Sequence, residues 1–245
     1  MELVPVPVSV GTAYHSCAVL LCEGAIWGFP PVTPEFLTDT DTGTDTHFLM
    51  SANIRLATSV DAAAVLKIYG PFCEESPITF ETKRPTITEM EGRILDITER
   101  FPWLICENGA DVLGYAYASS HRERAAYRWA VDVAVYIAGS CRGQGIGTAL
   151  YTALFQVLRA QGFYKAYAGI TLPNPASIQL HRRLGFEHVG VYKQVGFKAG
   201  AWHDVSWWDL TLQPPGLEPE EPRRIGEVIH RPDFLSAING ARALL

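Results

Sequence analysis

The stretch that most restricts what this chain can become is Val133 to Tyr151, VAVYIAGSCRGQGIGTALY. An apolar, β-branched run breaks at a small polar turn, and a helix-forming segment starts directly behind it. Gly143, Gly145 and Gly147 sit at the junction in RGQGIG. Without Cβ atoms the backbone can curl there, so that successive N–H groups point into one hollow. The first N–H groups of the following helix lack internal partners and carry the positive end of its dipole. A phosphate-bearing ligand is the natural occupant, although composition alone also allows a glycine-rich surface turn. Two familiar phosphate loops do not fit. A Walker loop ends in Gly-Lys-Ser/Thr, whereas Gly147 is followed by Thr148 and Ala149. A dinucleotide fingerprint GxGxxG needs glycine where Thr148 stands, or, begun one glycine later, where Leu150 stands.

Charge and cysteine usage narrow the function classes. A formal net charge of -6 over 245 residues argues against nucleic acid as the partner, because phosphate backbones need a basic surface. No uninterrupted apolar run approaches the roughly 20 residues of a membrane span. Cys17, Cys22, Cys73, Cys106 and Cys141 are odd in number and form no CxxC or Cys/His cluster. Neither a disulfide framework nor a zinc or other metal site is indicated, which points to a reducing, cytoplasmic compartment. CAVLLCEGAIWGF is apolar, but no Lys or Arg precedes Arg55, so the basic region of a leader is missing.

The chain divides into an N-terminal extension and linker over 1–50, a patterned domain over 51–212 and a Pro/Glu-rich tail over 213–245, with a short helix near its end. LTDTDTGTDT, residues 37–46, is a low-complexity run with nothing to bury. ANIRLA then predicts a strand, and Thr58 and Asp61 are spaced as a capping box for a helix. Ile87, Met90, Ile94, Ile97 and Phe101 recur at helical spacing after Thr86. Two strands flank Asn108-Gly109 as a hairpin, and RWAVDVAVYI is a third. The helix behind the glycine turn ends at Gly162. YKAYAGI is a strand, and Asn174 caps a short helix with Pro175 in its first position. Strands around 186–192 and 206–212 close the domain. This order implies an α/β (α+β) fold: a mixed sheet, antiparallel through the hairpin, with helices on both faces.

RGQGIG behind VAVYI resembles the R/Q-x-x-G-x-G/A pyrophosphate loop of the GNAT N-acetyltransferases. RFPWLICENGADVLGYAYA, AAYRWAVDVAVYI, LYTALFQVLRAQGF, LPNPASIQLHRRLGF and VGFKAGAWHDVSWWDL resemble, in order, the phosphinothricin acetyltransferases and their methionine sulfone or sulfoximine relatives. The likeness runs from about Ile54 to Leu212. It implies the GNAT fold, with a mostly antiparallel sheet. It also implies that Arg142, Gly143, Gln144, Gly145, Ile146, Gly147 and Thr148 cradle the pyrophosphate of acetyl-CoA. Backbone groups of Val135, Tyr136 and Ile137 would pair with the pantetheine arm like an added strand. Asn174 and Ser177 match positions that touch the same arm. The implied reaction is acetyl transfer to the α-amine of a small amino-acid-like substrate, by direct attack in a ternary complex and without a metal.

Two groups stand out for proton transfer. Asp132 lies mid-strand on one face with Ala130, Ala134 and Tyr136, where an acid is costly to bury without a reason. It occupies the position of a Glu proposed as general base in the resembled enzymes. As the shorter acid it would work through a water, or else serve as a structural carboxylate. Asn174, Ser177 and His181 form one stripe on their helix, and the stripe is expected to face the cofactor. The phosphinothricin group also has His there, so acid and base roles for His181 both stay open. His203, in WHDV, is read as structural.

By the same resemblance, SPITF and AAYRW line the acceptor site, with Phe80, Tyr127 and Trp129 as walls. An acidic substrate needs local cations, for which Arg128, Arg124 and Lys198 are available; Arg128 faces either inward or to solvent. QVGFKAGAW resembles an arm that reaches a neighbouring subunit, which implies a homodimer. Two alternatives remain: an acetyltransferase for another primary amine, such as a polyamine or a peptide N-terminus, and a non-catalytic acyl-CoA-binding module.

Overall fold

The computed structural model describes residues 52–245; the extension and linker read before that point lie outside the described residues. Strand β1 spans Asn53–Leu56. The backbone N–H of Thr58 donates to Asp61 Oδ2 at 2.8 Å, turning the chain into helix α1, Ala62–Glu75. Helix α2, Ile87–Thr98, starts at a reciprocal cap: Thr86 N–H donates to Glu89 Oε2 at 2.7 Å and Glu89 N–H donates to Thr86 Oγ1 at 3.2 Å. Strands β2, Trp103–Asn108, and β3, Asp111–Ser120, form the expected hairpin. The turn is shifted by one residue. Asn108 pairs with Asp111, and Gly109, at φ +59°, takes the first loop position.

Strand β4, Ala130–Ile137, leads through the glycine turn into helix α3, Ile146–Gln161. Strand β5, Lys165–Thr171, helix α4, Pro175–Arg183, and strands β6, Glu187–Lys198, and β7, Ala201–Thr211, follow. The sheet order is β1-β2-β3-β4-β5-β7-β6. Every neighbouring pair is antiparallel except β4 with β5. Helices α1 and α2 cover one face, and α3 packs on β2, β3 and β4 from the other. Leu150, Leu154, Val157 and Leu158 of α3 are fully buried. Each contributes about 1.5–3 kcal/mol relative to exposure.

The segment beyond 213, read from sequence as a tail, is part of the folded body. It holds helices α5, Ile225–Val228, and α6, Pro232–Arg242. Phe234, Ala237, Ile238 and Ala241 are buried, and α6 lies against α3 and β1. The side chain of Gln161 fastens the entry by donating to the carbonyls of Arg100 and Arg223, at 2.9 and 2.8 Å. Proline and glutamate dilute the composition here, which hides an apolar i, i+3, i+4, i+7 stripe.

Candidate active site

Among the described residues, the one parallel pairing in the sheet, between β4 and β5, stops short of both strand ends. β4 and β5 pair through Ala130↔Lys165, Val131↔Ala166 and Asp132↔Tyr167. Beyond that rung β4 and β5 no longer pair with each other, although β5 stays bonded to β7 as far as Thr171↔Val205, so the two strands fork. The other edge of β4 stays bonded to β3 as far as Gly114↔Ile137. The residues from Val133 to Ile137 therefore have no ladder partner in β5 on the side that faces the fork. A ligand with amide groups can dock there as a strand does.

The fork opens toward the glycine loop. Gly143 and Gly145 hold φ of +78° and +85°, a region in which L-residues are strained. Gly145 is the N-cap of α3, and the first N–H within the helix to find an acceptor there is that of Ala149, on Gly145 O at 3.0 Å. The N–H groups of Ile146, Gly147 and Thr148 precede it and have no intrahelical acceptor. Arg142 lies over the Phe72 ring at 5.5 Å and has no carboxylate partner among the described residues; partial burial lowers its pKa. Gln144 donates its amide to Ser140 O at 3.2 Å, which braces the loop. Across the fork, Asn174 Oδ1 caps α4 by accepting from Ser177 N–H at 3.1 Å. The Nδ2 of Asn174 is buried without a hydrogen-bond partner among the described residues. A buried orphan donor is costly unless a ligand or water meets it. Loop amides, an uncompensated guanidinium, a free strand edge and an orphan amide together fit a diphosphate carrying an amide arm.

Asp132 stands at the vertex. Its neighbours on the two flanking strands are Ser119 and Tyr167. Its carboxylate is buried and meets His121 Nδ1 at 2.7 Å. Sequence reading missed His121. The usable signal was HRER directly after β3, because the β3–β4 register sets Ser119 opposite Asp132 and the residue two positions further on returns to the same side.

His181 sits elsewhere. The Asn174–Ser177–His181 stripe exists, but past Asn174 it turns into the core, and His181 is 0% exposed. Its Nδ1 donates to Ser177 O at 2.7 Å, and Nε2 lies 3.3 Å from the Tyr151 hydroxyl. The Phe186 ring stands edge-on at 4.8 Å. Burial pushes the imidazole pKa from 6.5 down to about 4, so the ring is neutral. Tyr151 belongs to α3, on one face of the sheet. Asp132 shares its face with Tyr136, which packs on Tyr69 and Phe72 of α1. The fold thus puts the two titratable candidates on opposite sides of the sheet.

The acceptor-side residues separate in the same way. Phe80 lies against Gly196, where a Cβ would collide with its ring. Tyr127 stands edge-on to His121, with ring centroids 6.0 Å apart. Trp129 donates its indole N–H to Glu220 O at 2.8 Å, and Arg128 pairs with Glu221, so the segment after 213 holds both. Arg124 and Arg128 share a groove with Arg100 and Arg122. Lys198 is buried, and its ammonium donates to the carbonyls of Phe72 and Thr79, at 3.1 and 2.8 Å. It staples the SPITF segment and offers no charge to a pocket. His203, read as structural, faces Lys198 O at 3.0 Å. A cleft that the sequence did not disclose lies on the Asp132 face. It is lined by Tyr69, Trp103, Tyr115 and Tyr117, with Arg93 and Glu81 paired at 2.5 and 3.2 Å on its wall.

Comparison with known proteins agrees with this geometry. Residues 54–207 match the family model described as an acetyltransferase (GNAT) domain. The chain is 38% identical over 171 residues to a phosphinothricin N-acetyltransferase of Streptomyces viridochromogenes, covering 70% of this chain and 92% of the relative. It is 35% identical over 178 residues to an L-methionine sulfoximine/L-methionine sulfone acetyltransferase of Pseudomonas aeruginosa, covering 69% and 100%. A crystal structure of a phosphinothricin acetyltransferase from Sinorhizobium meliloti in complex with acetyl-CoA superposes with a TM-score of 0.67 at 35% identity, covering 75% of this chain and 97% of that one. With its forked sheet, glycine loop and matched length, this chain belongs to the GNAT acetyltransferase family.

Proposed function

We propose that this protein transfers acetyl from acetyl-CoA to the α-amine of a small amino-acid-like substrate, of the phosphinothricin or methionine sulfoximine type, by direct attack with both substrates bound. The observation that carries this reading is the vertex. A buried carboxylate ends the free edge of β4, and that edge leads back to a loop of open amides. Bound acetyl-CoA would supply an activated carbonyl. The N–H groups of Ile146 to Thr148 and Arg142 would hold its phosphates, and β4 and Asn174 its amide arm. Asp132 marks where the substrate ammonium loses its proton. Arg93, on the cleft wall and paired with Glu81, would meet a substrate anion only by exchanging that partner. His181 acts by positioning α4 against α3. The purified protein, given acetyl-CoA and a panel of amino acids, polyamines and peptides, is expected to release thiol with the amino acids. Product mass spectrometry should place the acetyl group on the α-nitrogen. Thiol release with polyamines or peptides only would reject the substrate class, and binding without turnover would reject catalysis.

We further infer a homodimer in a reducing cytoplasm. Val189, Tyr192, Val195, Phe197 and Trp202 are all about half exposed or more on the β6–β7 hairpin, a concentration of apolar surface that a second copy would cover. Cys73, Cys106 and Cys141 are free thiols.

A further inference from the structure

His121 is the strongest feature that the resemblance to known acetyltransferases left unread. β3 ends at Ser120, and a tight bend follows: Ser120 Oγ donates to Arg122 O at 3.2 Å and Arg122 Nη1 donates to His121 O at 2.7 Å. The bend lays the imidazole across the last rung of the β4–β5 ladder. On one side Nδ1 meets Asp132, and on the other the ring stacks on Tyr167 at 4.3 Å with an 18° tilt. The rings of Tyr127 and Trp207 complete the surround at 6.0 and 6.4 Å. The charged and titratable groups facing His121 are therefore Asp132, Tyr127, Tyr167 and Arg122, whose guanidinium lies over Trp207. With Nδ1–H donated to Asp132, the lone pair sits on Nε2, which has no hydrogen-bond partner among the described residues. The side chain keeps 11% of its surface open, against 8% for Asp132. Beside them Ser119 Oγ is buried and has no hydrogen-bond partner among the described residues, so the vertex holds a polar atom open to a polar ligand.

Resting on the acetyltransferase reading above, we propose that His121 is the general base of this enzyme and that Asp132 is its positioning residue. Asp132 is the better buried of the two, and its carboxylate is already committed to the imidazole. The α-ammonium gives one N–H proton to Nε2 and keeps the electron pair, while Nδ1–H stays on Asp132. The neutral nitrogen then forms the C–N bond as the thioester C–S bond breaks, with the electron pair leaving on sulfur. The amine's second proton ends on that sulfur, and the first passes from Nε2 to solvent. The products are an amide, a thiol and one released proton. An acid too short to reach the amine is thus extended by an imidazole.

The test compares wild type, His121→Gln and His121→Ala on the full chain. Gln keeps a donor for Asp132 but takes no proton. We expect kcat/KM to fall by about 100-fold or more near neutral pH in both variants. Acetyl-CoA affinity and melting temperature should stay near wild type in His121→Gln. The deficit should shrink as the buffer is raised toward the titration of the amine itself, because a neutral amine needs no base. Added imidazole should restore part of the rate of His121→Ala. Full activity in His121→Gln, or a deficit that does not change with pH, would overturn the assignment and return the base role to Asp132. A wild type that turns over no amine would overturn this proposal together with the acetyltransferase reading; a wild type that turns over while His121→Gln matches it overturns this proposal alone.

Discussion

Gly145 offers the sharpest test of the phosphate loop, because its geometry separates backbone strain from side-chain collision. A Cβ there would meet only Leu244 O, at 3.5 Å, an ordinary contact. The cost of Gly145→Ala is therefore almost wholly that of holding an L-residue at φ +85°, about 1–2 kcal/mol. That cost must appear in one of two places. If the loop keeps its shape, melting temperature falls and coenzyme A binds as before. If the loop relaxes to a negative φ, the amides of Ile146 and Gly147 swing away and affinity falls by about tenfold per 1.4 kcal/mol. Gly139→Ala is the control: open space surrounds its Cβ position and its φ is not in the positive range. Calorimetric titration with coenzyme A and thermal melting, run on wild type and both variants, measure the two channels. Losses summing to about 1–2 kcal/mol in Gly145→Ala and none in Gly139→Ala are expected. Unchanged affinity and unchanged melting in Gly145→Ala would show that the left-handed N-cap is not required, and the loop argument would fail.

Two more expectations follow from particular residues. The pKa of His181 is depressed from 6.5 to about 4, so its stabilising contribution is complete above about 6.5 and drains as pH falls toward about 4. Wild type should lose on the order of 3 kcal/mol across that window, and His181→Phe should flatten the curve; parallel melting-versus-pH curves for the two would refute the neutral-core assignment. Trp202→Glu and Phe197→Glu, on the exposed hairpin, should convert a dimer into a monomer by light scattering, and a wild type already monomeric would remove the interface.

The sequence disclosed the elements whose signals are local. The helix start after Thr86, the cap at Asn174, a glycine stop at Gly162 and the strand–glycine–helix junction all lie within a few residues of what they control. The order of elements was correct for the same reason. What stayed hidden depends on pairing at a distance. His181 carries the right stripe, yet only tertiary packing decides whether a stripe faces a ligand or Tyr151. Lys198 looks like a spare cation until the carbonyls of Phe72 and Thr79 are brought to it from far along the chain. Arg128 and Trp129 are claimed by Glu221 and Glu220 of a segment that composition marks as a tail.

The vertex explains why an acid is tolerated in the middle of an apolar strand. Burying an isolated carboxylate costs several kcal/mol, and evolution could remove that cost with one valine. The fold instead brings a bend after β3, a stacked tyrosine from β5 and an imidazole donor to the same rung. Asp132 and Tyr167 sit on strands whose register is fixed by ladder bonds, and His121 directly follows the last paired residue of β3. The rung is also the last one before β4 and β5 part, where the free edge begins. Stability alone asks for neither the acid nor the fork. A single position satisfies both, and that coincidence is the physical argument behind the proposed site of proton transfer.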